Sequence, residues 1–130
     1  MILDEIEAYL NAVTPPLGLT IKGVMPATPD ACISIMESSG PASDLGFGMI
    51  GIKHEHPSIQ LMVRGVPDDY ETPRLVIERA YHEMAKIQGM TLSGVNYLFV
   101  RPKQAPFLMA RDDSKRIRFA VNFSVDKEPS

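Results

Sequence analysis

The residues best equipped for chemistry in this chain are few, and the first group is His54-Glu55-His56. Imidazoles and carboxylates are metal ligands, but two histidines one residue apart share a side only on an extended strand. Pro57 and the glycine-rich approach argue against a strand, and no motif places a third His or a Cys beside them. The spacing therefore predicts a solvated loop, with a metal-dependent ligand- or peptide-binding role through His54 and His56 as the alternative. Cys32 is the only cysteine, which excludes an internal disulfide and a single-chain thiolate zinc cage. Among Ile33, Ile35 and Met36 it reads as a small strand residue, not an activated thiolate. His82 beside Glu83 reads as a helix-surface spectator. Gly46-x-Gly48-x-x-Gly51 has the spacing of a dinucleotide fingerprint, yet it neither follows a clear strand nor opens a helix, the context that motif needs. Asp68-Asp69 and Asp112-Asp113 fall at turns, where Asp bonds nearby backbone. Nothing around either pair would split two carboxyl pKa values for acid–base work. No catalytic residue, metal or cofactor is expected.

Charge is the more distinctive signal. Residues 101–118 hold six of the thirteen Lys and Arg residues (Arg101, Lys103, Arg111, Lys115, Arg116 and Arg118), offset there only by Asp112 and Asp113. The whole chain has a net charge of −3, so there is no global pull toward nucleic acid. This basic stretch runs into Ile117, Phe119, Val121, Phe123 and Val125, alternating with Arg116, Arg118, Ala120, Asn122 and Ser124. A period of two sustained so long predicts one long strand, apolar on one face and wet on the other.

The remaining elements must position that strand. Ile2, Leu3, Ile6, Leu10 and Val13 recur at helical spacing behind acidic first-turn residues, and Pro15-Pro16 stop the helix. Strands are predicted over 19–23, 31–37 and 59–64. Thr72 as N-cap and Pro73 at the first position open a second helix through Ile77, Ala80, Met84 and Ile87, with Gly89 as its stop. Ser93-Gly94 turns a hairpin between Thr91-Leu92 and 95–101. Residues 38–58 read as the longest irregular segment, with Phe47, Met49 and Ile50 as its apolar members. Met49, Met62 and Met109 are the methionines expected near the surface. At 130 residues and 45% apolar content the chain should form one domain over 1–130, with a short flexible tail at 126–130. The fold class is α+β, a mostly antiparallel sheet with two main helices packed on one face. An acidic N-terminus and no long apolar run predict a soluble cytosolic product without a membrane span.

Gly94-Val95-Asn96-Tyr97-Leu98, Ala105-Pro106-Phe107-Leu108, Arg111-Asp112-Asp113, Arg118-Phe119 and Val121-Asn122-Phe123 together resemble the minor capsid family of tail terminator proteins from long-tailed bacteriophages. In that family a P-F-x-x-x-R-D step precedes an F-x-V-N-F strand. Leu17-Gly18-Leu19, Met25-Pro26-x-x-Pro29-Asp30 and the strand at 59–64 are similar to it as well, so the resemblance covers residues 17–125. It implies a structural virion protein of the tail and neck, assembled in the host cytoplasm, with no enzymatic activity. Its subunits would form a homo-hexameric ring on the head-proximal end of the tail tube, stop tube polymerisation and join the tail to the head-completion connector. DNA would pass through the lumen without sequence-specific binding. Under that resemblance Phe47, Met49 and Ile50 would contact the tail-tube protein or the adjacent subunit. Arg64, Arg101, Lys103, Arg111, Arg116 and Arg118 would make ion pairs between subunits or rings. An adaptor acting as a dimer is the third reading.

Overall fold

The structure, a computed structural model, describes residues 2–38, 44–45, 52–109 and 111–128. Phe47, Met49, Ile50 and the 46–51 glycine motif lie outside them.

The long strand is the spine. β9 (Arg116–Lys127) pairs antiparallel along one edge with β5 (Ser58–Pro67), in a register running from Ser58 opposite Ser124 to Arg64 opposite Arg118. Its other edge is shared by β7 (Val95–Pro102) toward the end and by the two-residue β8 (Phe107–Leu108) toward the start. Beyond β5 lie β2 (Cys32–Ser38) and then β1 (Thr20–Lys22), which pairs with β2 in the one parallel pairing among the described residues. Beyond β7 lies β6 (Gln88–Leu92). The strand order is β1-β2-β5-β9-β7-β6. A separate pair, β3 (Asp44–Leu45) and β4 (Ile52–His54), stands apart from this sheet. With helices α1 (Ile2–Asn11) and α2 (Glu71–Ala85), the fold is α+β on a mixed, mostly antiparallel sheet.

Alternation predicts the core well. Ile117, Phe119, Val121, Phe123 and Val125 are all buried and join Ile59, Leu61, Val63, Ile33, Ile35 and Tyr97 in one cluster with Ile6 and Leu10 of α1 and Ile77, Ala80 and Met84 of α2. α2 packs on β5, β7 and β9, whereas α1 touches β1 and β2 and also β6, so it reaches both ends of the strand order. No described helix is long and apolar enough to cross a membrane.

Several boundaries differ from the sequence expectation. α2 starts at Glu71, which places Thr72 inside the first turn, and the Asp69 carboxylate accepts the Thr72 N–H at 3.2 Å. Asp69, not Thr72, therefore supplies the cap. The helix ends at Ala85, and Gly89, at φ +56°, belongs to β6. Ile87 is still fully buried, because the strand that follows α2 dips into the same core. His54 does lie in a strand, and Glu55 continues it by exchanging backbone hydrogen bonds with Lys127 at 2.8 and 3.1 Å. The distant β9 provides this pairing, which Pro57 and the local glycines gave no sign of. β9 likewise runs through Asp126 and Lys127, two residues into the segment expected as a tail. The Ser93-Gly94 turn matches expectation: φ values of 49° and 81° suit the two-residue hairpin between β6 and β7.

Candidate interaction surface

Arg116 and Arg118 lie on the second face of β9, with Arg64 of β5 opposite Arg118 and Arg101 of β7 opposite Ser124, and the structure divides the sequence-selected cations into two kinds. Arg64 is 4% exposed. Its Nε donates to the Asp30 carbonyl at 2.8 Å and its Nη2 to the Pro29 carbonyl at 2.7 Å. Arg116 donates from Nε to Asp112 Oδ2 at 2.7 Å, and from Nη1 to the Ala27 carbonyl at 2.6 Å and Asp30 Oδ1 at 3.2 Å. Ser34 Oγ adds a bond to the Val24 carbonyl at 2.7 Å. Residues 23–31 are thus laid over the ends of β2, β5 and β9 by two guanidiniums and a hydroxyl, each satisfying backbone carbonyls that no strand partner reaches. Arg118, half-buried, stands directly across from Arg64.

Arg101, Lys103 and Arg111 are exposed. Arg101 stacks over the Phe99 ring at 4.3 Å, Lys103 Nζ donates to Ser58 Oγ at 2.9 Å, and Arg111 meets Asp68 at 3.3 Å. Between Lys103 and Arg111 in sequence runs an apolar edge that the sequence shows only as part of the family pattern, not as surface: Phe107 is 36% and Leu108 57% exposed. Met109 beside them is half-buried, while Met62, expected near the surface, is buried. The Asp112 carboxyl is desolvated, which raises its pKa. Donors from the Arg116 and Ser114 backbone and the Arg116 guanidinium outweigh that and hold it below the usual aspartate value.

A second feature had no signal in the sequence. A groove of about 150 Å3 opens between the start of β2, the end of β5 and the first turns of α2, lined by Leu17, Leu19, Val63, Val66, Pro73 and Val76 among others. Leu19 and Val66 at its rim are 53% and 44% exposed; in the sequence Leu19 passes for an ordinary strand residue and Val66 for part of the break after the strand at 59–64.

The residues considered for chemistry are dispersed. His56 pairs with Asp126 at 3.5 Å. Among the described residues no group of three or more His, Cys, Asp or Glu side chains is placed to hold a metal. The Cys32 thiol is buried, and that burial pushes its pKa up despite Arg64 and Arg116 nearby. It contacts Met25 Sδ at 3.4 Å and has the surroundings of a packing residue. His82 is exposed on α2 against the Tyr81 ring. One polar cluster is deeply buried: the Tyr97 hydroxyl donates to Glu5 at 2.6 Å, and Lys127 Nζ lies 3.4 Å from Glu5 and 3.6 Å from Glu55. Lys127 has the parity of the apolar face of β9, so it enters the core as a cation.

Comparison with known proteins places this geometry. A family model described as bacteriophage tail terminator protein matches residues 5–129. A solved chain from the virion of a native gene transfer agent particle superposes with a TM-score of 0.67 at 13% identity, over 95% of this chain and 92% of that one. A second solved structure reaches a TM-score of 0.60, also at 13% identity, over 99% of this chain and 92% of its own. At such identity these two show a shared fold. No curated protein matches the sequence.

Proposed function

The chain belongs to the bacteriophage tail terminator family, and on that footing we propose that it is a structural virion subunit that caps the head-proximal end of the tail tube as a ring. There it ends tube polymerisation and joins the tail to the head-completion connector. The observation that carries this reading is a family match spanning α2, most of α1 and every strand. A gene transfer agent virion chain of the same fold is consistent with it. The surface adds support. β6 ends the sheet with the uncharged sequence Gln88-Gly89-Met90-Thr91-Leu92, an edge without the lysines or prolines that usually keep strands from pairing with another chain.

In this reading the partners are further copies in a homo-hexamer, the tail-tube protein and the connector, with DNA passing through the lumen unread. Phe47, Met49 and Ile50 contact the tube or the neighbouring copy. Arg101, Lys103 and Arg111 make ion pairs at the interfaces, while Arg64 and Arg116, with Arg118 beside them, shape the face through loop 23–31. Light scattering on the purified protein, alone and with its cognate tail-tube protein, tests the reading. A sixfold mass in either condition supports it; a monomer or dimer indifferent to tube protein overturns it.

A further inference from the structure

The apolar edge of β8 and the groove beside α2 have matching chemistry. β8 presents Phe107 and Leu108 within the apolar run Ala105-Pro106-Phe107-Leu108-Met109, with Arg101 and Lys103 exposed upstream. The groove presents Leu19, Val66 and Pro73, with the half-buried Asp69 in its lining and the exposed Glu71 next to the lining residue Thr72, while Asp68 is held by Arg111. Among the described residues Arg101 and Lys103 meet no carboxylate and Glu71 meets no cation within the chain. The two surfaces lie on different sides of α2. Tyr70 packs edge-on to Phe119 with ring centroids 5.3 Å apart, and Arg74 lies over the same ring, so both face β9, which β8 flanks. Asp69, Pro73 and Val76 line the groove; at 100° per residue that face is turned from Tyr70 and Arg74 by roughly 100°.

We propose that these are the two halves of one subunit–subunit contact, the β8 edge of one copy seated in the α2 groove of the next. The inference rests on the ring reading above and names its interface. Because the two halves are different patches, the contact is head-to-tail, the kind that closes into a ring when the rotation permits. The apolar run fills the groove, and Arg101 and Lys103 fall opposite the acidic mouth and fix the register.

Val66→Asp and Leu108→Asp each place a charge in one half at an exposed position, so folding should be retained, as circular dichroism and thermal melting will check. Each variant alone should lose assembly by about thirtyfold or more, the loss expected for a central interface residue. Mixed together, each supplies the half the other lacks, and the expected product by light scattering is a dimer that grows no further. Should either aspartate unfold the protein, Lys103→Glu weakening assembly and Glu71→Lys restoring it in the double variant makes the same test through charge alone. Rings that form normally from either aspartate variant overturn this interface and leave the ring reading standing. A wild-type chain that never assembles, alone or on tube protein, overturns both.

Discussion

Arg64 and Lys127 show how differently a buried cation can behave. Arg64 satisfies two carbonyls of loop 23–31 with a fork whose geometry a lysine lacks. Arg64→Ala should cost about 3 kcal/mol or more in urea unfolding, the scale of two hydrogen bonds to a charged donor at roughly 1.5–3 kcal/mol each, and Arg64→Lys should recover only part of it. Lys127 instead balances Glu5, whose carboxyl burial would push up. The Tyr97 hydroxyl and Lys127 hold its pKa below the usual glutamate value. Lys127→Met leaves that carboxylate inside the core without its cation, at a cost of about 3 kcal/mol. A carboxyl with a depressed folded-state pKa adds stability that is fully present above the unfolded pKa, about 4, and is lost as pH falls through the folded value. Melting temperature of the wild type should therefore hold from neutrality to about pH 5 and drop below about pH 4, as Glu5 and Asp112 protonate. The deficit of Lys127→Met should narrow over the same range, because a protonated Glu5 no longer needs a cation. A deficit independent of pH would mean that Lys127 acts through packing. Lys127 was legible in principle, since the two-residue period of β9 carries it to the apolar side, but a lysine near a terminus reads as solvent-exposed tail until its partners Glu5 and Glu55, far away in sequence, are brought to it.

At the scale of elements, what the chain encodes locally was readable and what it encodes through distant partners was not. β9, β5 and the Ser93-Gly94 hairpin follow from alternation and turn chemistry. The Glu55–Lys127 bridge depends on β9 and left no local pattern. The groove was hidden for the same reason: it exists because α2 enters close to β5 at one point. There Gly65 faces Pro73, and a Cβ on Gly65 would sit 2.7 Å from Pro73 Cγ and 2.9 Å from Cδ. Both are atoms of a stiff ring, so the first turn of α2 would have to move. Gly65→Ala should cost about 1–3 kcal/mol, read by chemical denaturation, and should change the groove itself. If the substitution proves neutral, α2 is not held at this point and the groove is not a fixed feature of the fold.

For the whole molecule, the family pattern across residues 17–125 was the part of function visible in the sequence, because it lies in the turns and strands that build the sheet. The surfaces were not, since Leu19, Val66, Phe107 and Leu108 have the residue types of a core and only the fold leaves them outside it. An interface made of those residues with a charged margin has a distinct response to salt. The attraction of exposed ion pairs reaches roughly 10 Å at 0.1 M salt and only about 3 Å at 1 M, whereas apolar burial is strengthened by sulfate. Raising sodium chloride from about 0.1 to 1 M should slow assembly, followed by stopped-flow scattering, because the basic residues around β8 steer the encounter with the acidic mouth of the groove. Ammonium sulfate at equal ionic strength should screen the same steering yet leave the assembled ring harder to dissociate. If both salts dissociated rings equally, the contact would be ionic at its centre, and Arg101, Lys103 and Arg111 rather than Leu108 and Val66 would hold the subunits together.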